Sequence, residues 1–259
     1  MTHILTYNIM YSEKLSTYYD NLYSQKDYKS ECDLIIKYSK TKNALLDIGC
    51  GTMTHSIILS DFFKDVLSTD LSAPMINVGI KKITEKGINN VTTFNGPISD
   101  IKLNTPFNTI ISMFNVVNHI NTVNNLISYF KTVSNLLSKD GVFIFDCWNG
   151  TACRIEPPKE IMEKSISHDF HTILTKTKTE TNLFESWSLM NTDVNLYFES
   201  ELVDNFSFSL LQKLWTPDVL KDICEMCGLS VVKIIPYFDD SILANEKDYR
   251  LTFICEKLN

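Results

Sequence analysis

Asp47, Gly49, Gly51 and Asp70 are residues whose types and spacing suit ligand binding at the end of a sheet. In "LLDIGCGTMT" (residues 45–54) two apolar residues lead into an acid and then two glycines spaced one apart. This reads as a buried strand that ends and turns sharply, with bare backbone at Gly49 and Gly51 where a ligand can pack. Asp70 closes the next strand-like run, "DVLSTDL", 19 residues after Gly51. An acid at that remove is placed to accept hydrogen bonds from both hydroxyls of a ribose lying across the turn, so the expected ligand is a nucleoside. The alternative for Asp70 is a helix N-cap or a solvated loop acid. A dinucleotide site wants G-x-G-x-x-G, and in "GCGTMTHS" the third place falls near His55, which disfavours a nicotinamide cofactor. Asp47 would also repel a pyrophosphate; it suits a ligand with a cationic amino group or a sulfonium.

The elements that must position these residues follow from hydrophobic period and turn chemistry. The spacing predicts helix from Ser12 to Tyr38 with an aromatic interruption, a strand over "NALLDIG", a helix over "MTHSIILSDFF", and a second strand ending at Asp70. Ser72 and Pro74 mark the start of the next helix. "NVTTFNG", "FNTIISMF" and "VFIFDCW" read as strands three to five, with a long helix before the last that Gly141 should stop. Strands separated by helical patterns predict an α/β, doubly wound, mostly parallel sheet. After Trp148 the rhythm changes: from about Ser165 to Lys213 short β-prone runs follow one another without helices, as in an antiparallel meander. A helix capped by Thr216 with Pro217 in its first turn and two closing strands complete a seven-stranded main sheet. The expected division is 1–150 with 214–259 as the ligand-binding domain and 151–213 as an inserted antiparallel substrate-binding sheet.

Composition narrows the partners. The 259 residues are 44% hydrophobic and 21% charged, enough for a sizeable core. With 24 Lys and Arg against 31 Asp and Glu, the formal net charge of −7 opposes phosphate backbones and anionic lipid, so neither nucleic acid nor membrane is expected as a partner. Apolar runs fall short of a membrane span, and the N-terminal residues lack a signal-peptide pattern. Seven scattered cysteines argue for a reducing, cytoplasmic setting rather than a disulfide framework. Cys224 and Cys227 form one C-x-x-C without a second pair, which reads as two positions on one helix; His168 and His171 lack a third ligand, and no metal is expected.

These residues together carry a resemblance. "LLDIGCGT" resembles the first motif of class I S-adenosylmethionine-dependent methyltransferases, and "LSTDLSAPMI" their second; the likeness continues through "FNTIISMFNVVNHI", "LLSKDGVFIFD" and "WTPDVLKDICEMCGLSVVKI". The helix "YYDNLY…KDY" and the inserted sheet resemble bacterial sugar N-methyltransferases acting on nucleotide-linked amino sugars. The resemblance implies a Rossmann-like fold and S-adenosylmethionine as cofactor, released as S-adenosylhomocysteine. It implies a cofactor set of Asp47, Gly49, Cys50, Gly51, Thr54, Asp70, Leu71, Met75, Pro97, Ile98, Met113 and Phe114. One departure stands out: "NGPISD" puts Pro97 where the family usually has an acid near the adenine amino group, so Ile98 backbone or Ser99 is expected to serve there.

Methyl transfer from a sulfonium is an in-line displacement, so holding the nucleophile is much of the work. A neutral amine needs only placement, whereas a hydroxyl gains from a base. His119, after the fourth strand, and Tyr19 are the catalytic candidates, both implied by the resemblance to line the acceptor pocket. Tyr11, Tyr18, Tyr23, Tyr28, Asn118, Trp148 and Asn149 are candidates for the acceptor surface. Arg250, and Arg154 beside it in rarity, offer a fork-shaped donor to a diphosphate or carboxylate. The acceptor expected is a sugar or nucleotide-linked sugar methylated on N or O. The alternatives are another small metabolite, a nicotinamide-dependent oxidoreductase and a non-catalytic cofactor-binding module. A homodimer is among the assemblies the sequence allows.

Overall fold

A computed structural model describes residues 12–102, 105–168 and 171–258. Two helices, α1 (Glu13–Leu22) and α2 (Tyr28–Tyr38), precede β1 (Ala44–Ile48), α3 (Thr54–Leu59), β2 (Asp65–Asp70), α4 (Ala73–Glu85), β3 (Val91–Asn95) and β4 (Phe107–Ser112). Then come α5 (Val123–Leu136), β5 (Leu137–Trp148) and a short α6 (Gly150–Ile155). Four long strands follow: β6 (Ile161–His168), β7 (His171–Asn182), β8 (Trp187–Phe198) and β9 (Glu201–Lys213). The chain closes with α7 (Pro217–Met226), β10 (Leu229–Pro236) and β11 (Arg250–Lys257).

The main sheet has seven strands in the order β10-β11-β5-β4-β1-β2-β3, with β11 antiparallel to both its neighbours and the rest parallel. Both faces are covered, which is why β1 and the Val142–Phe145 centre of β5 are near-continuous apolar runs rather than alternating ones. One core lies under α5 and α7, around Phe130, Phe145 and Phe253; the other lies under α2, α3 and α4, around Ile35, Leu45 and Ile144. Phe145 and Phe253 sit opposite each other in the ladder and stack with centroids 4.7 Å apart, a pairing that contributes about 1 kcal/mol beyond burial.

The strands β6 to β9 form a separate four-stranded antiparallel meander. Its inner face meets α1: Leu15 and Leu22 pack with Ile173, Val194, Leu196 and Phe208, and Met75 of α4 joins them from below. The lid-like α1 is thereby wedged between the two sheets.

Two local expectations are corrected. Helix α5 ends at Leu136, not at Gly141, because Leu137 turns extended, is fully buried and pairs with Phe107. Thr216 occupies the N-cap place of α7 without capping it, its side chain bonding Asp218 instead. The break between α1 and α2 spans residues 23–27, and the second helix is capped by Asp27, whose carboxylate accepts from Ser30 N.

Candidate active site

The glycine turn is held from β2. Gly49 N and Cys50 N both donate to Thr69 O, at 2.8 and 3.0 Å, and both glycines take positive φ, +69° and +54°. The two glycines differ in purpose. A Cβ on Gly49 would lie 2.5 Å from Val116, so the space there is filled by the protein itself. A Cβ on Gly51 would have only the Tyr19 ring near it, at 4.0 Å, so this is where bare backbone borders open room. Asp70 closes the turn: Oδ2 accepts from Gly51 N at 2.9 Å and Oδ1 from Ser72 N at 2.8 Å. Burial raises its pKa against the pull of those N–H groups.

Asp47 is 1% exposed and lies beneath the turn, where its Oδ2 accepts from Ser56, which in turn accepts from Ser68. Burial raises its pKa, and through Ser56 the carboxylate braces the start of α3. Cys50 and Met113 are likewise core positions. Leu71 is exposed beside Asp70, and Pro97 and Ile98 open the short 3-10 turn after β3. Met75 is buried under α1. Thr54 faces outward to a residue the sequence reading passed over: Asp20 of α1 accepts from Thr52 at 2.6 Å, from Thr54 at 3.4 Å and from Lys82 at 2.6 Å. That clasp holds α1 against the glycine turn.

Beyond the turn, β4 leads into two consecutive non-glycine residues in the left-handed region, Phe114 (φ +69°) and Asn115 (φ +63°). Such residues are strained by 1–3 kcal/mol each, roughly, and persist where surrounding structure over-determines them. Here Asn115 N donates to the buried Asp146 at 2.8 Å, and the Phe114 ring stands edge-on to Tyr23 at 4.8 Å.

A cavity of about 310 Å³ opens between this bend, α1 and the inner face of the antiparallel sheet. Tyr19 enters it from α1 and Tyr23 from just after it, Phe114 and His119 from the segment that follows β4, and Trp148 and Arg250 from the ends of β5 and β11. The His119 ring donates from Nδ1 to Leu211 O at 3.2 Å, which leaves the lone pair on Nε2, 3.4 Å from Gln212 Nε2. Burial lowers the His119 pKa to about 4. Arg250 reaches Asp146 at 3.1 Å and lies flat on Tyr237, 3.7 Å from its ring centre.

The antiparallel sheet contributes Met190 of β8 and the row Phe208, Leu210 and Gln212 of β9. These were not singled out from sequence, although the signal exists: an alternating apolar face in "FSFSLLQK" ends in a polar residue. Tyr249 and Asn115 also line the cavity.

Several sequence candidates lie elsewhere. Tyr18 stacks on Phe206 and hydrogen-bonds Asp204. Tyr28 stands edge-on to His55 beneath Lys26. Asn118 and Asn149 are buried clamps: Asn118 joins Lys213 O to Trp148 N, and Asn149 caps α6 and bonds Asp248 O. Arg154 holds the β7–β8 turn through Leu183 O and Ser186. Tyr11 lies outside the described residues. His55, near the third-glycine place, bonds Glu31 at 2.6 Å. All seven cysteines are buried free thiols, and no metal-holding cluster of three ligands occurs among the described residues.

The titration of His119 gives a test of this placement. Its folded pKa lies below the unfolded value near 6.5, so the unfolded chain gains the proton first as pH falls, and stability is lost from about pH 6.5 down to about pH 4. Wild type should lose urea stability over that window relative to His119→Asn, with a slope approaching one proton; parallel profiles would place the ring in solvent.

Residues 45–141 match the family model described as a methyltransferase domain. A dTDP-3-amino-3,4,6-trideoxy-α-D-glucopyranose N,N-dimethyltransferase of Streptomyces venezuelae is 28% identical over 145 residues, 54% of this chain. A dTDP-3-amino-3,6-dideoxy-α-D-glucopyranose N,N-dimethyltransferase of Streptomyces fradiae is 26% identical over 144 residues, 53% of this chain. The aligned stretch spans 59% and 54% of those relatives' lengths. Among solved structures, an S-adenosylmethionine-dependent methyltransferase from Clostridium acetobutylicum superimposes with a TM-score of 0.81 at 20% identity over 95% of this chain and 98% of that one. DesVI of Streptomyces venezuelae does so at 0.78 and 20%, over 93% and 98%. Residues 45–141 are thus similar to a methyltransferase domain, and nearly the whole chain shares the fold of these solved methyltransferase structures.

Proposed function

We propose that this protein transfers a methyl group from S-adenosylmethionine to a nitrogen or oxygen of a small polar acceptor, a sugar or nucleotide-linked sugar. The observation that carries the reading is the junction of two surfaces: the open Gly51–Asp70 turn, and the cavity that His119, Tyr19 and Arg250 share with the inner face of the antiparallel sheet. The turn fits an adenosine. Each Asp70 oxygen already accepts one backbone N–H and keeps a second lone pair, enough for the two hydroxyls of a ribose. Gly51 and the Tyr19 ring border the room where the rest of the cofactor would run.

When bound, the cofactor's sulfonium supplies an activated methyl and a good leaving group. What this chain supplies is placement. Neutral at physiological pH, His119 is too weak a base at a pKa of about 4 to drive proton removal; it lines the acceptor cavity and holds the Gln212 amide in place. The Arg250 guanidinium disfavours a protonated amine nearby and suits an anionic oxygen on the acceptor. The relatives named as N,N-dimethyltransferases of dTDP-linked amino sugars support nitrogen as the nucleophile. The net charge of −7 supports a small molecule rather than nucleic acid or membrane as partner, and the free thiols support a reducing cytoplasm as setting. Among the described residues no helix is long and apolar enough to cross a membrane.

Asp70→Ala should weaken S-adenosylmethionine binding by at least about 1 kcal/mol, roughly fivefold, the scale of a hydrogen bond to a charged group. Calorimetric titration of a folded variant checks this; unchanged affinity would remove Asp70 as the ribose partner.

A further inference from the structure

Four buried side-chain polar atoms among the described residues lack a hydrogen-bond partner: Asn115 Oδ1, Gln212 Oε1, Tyr249 OH and Arg250 Nε. All four residues line the one cavity described above. The Tyr249 hydroxyl has the weakly accepting Cys153 thiol beside it, and Arg250 is already paired through its other nitrogen. The two amide oxygens have nothing comparable. Asn115 is 7% exposed and Gln212 3%, so water reaches neither side chain freely. Leaving such an acceptor unmet costs about 1–3 kcal/mol, which calls for a compensating partner.

The orientation of the Gln212 amide is fixed by its neighbour. His119 Nδ1 faces a carbonyl, Leu211 O, and must carry the proton, so Nε2 is an acceptor and the Gln212 group facing it must be the NH₂ end. The oxygen is thereby the group left over. Gln212 also continues the cavity-facing row of Phe208 and Leu210, the one polar member at its end.

We infer that Gln212 Oε1 and Asn115 Oδ1 are the points at which the acceptor molecule donates hydrogen bonds, making them specificity-determining residues for an acceptor whose reacting end is neutral and rich in N–H and O–H donors. This rests on the methyltransferase reading given above and names residues that it does not use. The chemistry favours an amine: with its lone pair aimed at a methyl, a primary amine still has two N–H bonds to place, whereas a hydroxyl has one. A carboxylate or keto group at the same position presents lone pairs to lone pairs and is repelled.

The experiment titrates the full chain, saturated with S-adenosylhomocysteine, with a thymidine-diphosphate-linked 3-aminohexose and with its 3-keto counterpart. Wild type should prefer the amine at least tenfold. Gln212→Met, which removes the oxygen at similar volume, should lose roughly tenfold or more in amine affinity while keeping its keto affinity, its S-adenosylhomocysteine affinity and its melting temperature. Should Gln212→Met fail to fold, Asn115→Gly, compatible with the positive φ, decides the matter with the same two probes. Equal amine affinity in wild type and variant, or parallel loss of both probes, overturns the inference while leaving the methyltransferase reading standing. Failure of wild type to bind S-adenosylhomocysteine overturns that reading, and the inference with it.

Discussion

Glu31→Gln is expected to lower the unfolding free energy by about 3–5 kcal/mol, the scale on which one partner is removed from a buried ion pair. Glu31 is 2% exposed, and its carboxylate takes hydrogen bonds from Lys26, from His55 at 2.6 Å and from Tyr237. Burial alone would push its pKa up, but the His55 and Lys26 donors outweigh it and hold the group at about 2. Lys26 is itself mostly enclosed, and burial lowers its pKa. A glutamine can still accept hydrogen bonds, so what the variant removes is the charge that compensates a buried ammonium. The sign with pH follows: a carboxyl depressed from 4.5 to about 2 contributes its stability above about pH 4.5 and loses it as pH falls toward 2. Urea unfolding at pH 7 and pH 3 should therefore show a large gap between wild type and variant at pH 7 and a narrower one at pH 3. A loss below about 1 kcal/mol at pH 7 would mean that Lys26 finds solvent and the cluster is not closed. The cluster bears on the cavity, because Tyr237 is both the donor to Glu31 and the surface on which Arg250 lies.

Gly49→Ala and Gly51→Ala should separate fold from binding. At Gly49 an alanine meets left-handed backbone and a Val116 methyl at 2.5 Å, so the cost combines about 1–2 kcal/mol of backbone strain with about 1–3 kcal/mol of overpacking. The expected result is a sharp fall in melting temperature. At Gly51 only the backbone term applies, and the protein should fold. Its methyl would stand in the open space beside Tyr19, so S-adenosylmethionine affinity should drop more than tenfold while stability drops by only about 1 kcal/mol. Differential scanning calorimetry with cofactor titration distinguishes the two. A Gly51→Ala protein that binds the cofactor as wild type does would show that the ligand does not cross this glycine, and a Gly49→Ala protein of normal stability would show that Val116 can retreat.

What the sequence by itself determined is what local patterns encode. The strand–helix alternation, the shift to a two-residue period after Trp148, the Ser72 cap and the Asp70 position after β2 all depend on residues within a few turns of one another, and each reappears in the structure. Boundaries drifted where a tertiary contact overrode local chemistry, as at Leu137, whose burial against the sheet ends α5 before Gly141 can. The site divides along the same line. That Asp70 reaches the glycine turn was legible, since both lie at adjacent parallel strand ends. That the space at Gly49 is filled by Val116, that Asp47 accepts a hydrogen bond from Ser56, and that Asn118 and Asn149 serve as backbone clamps was not. Gln212 and His119 meet across 93 residues, and Glu31 and Tyr237 across 206. A polar side chain in a sequence announces only that it needs a partner; which partner it finds, and whether one is left for a ligand, is set when separate elements pack and exclude water from between them.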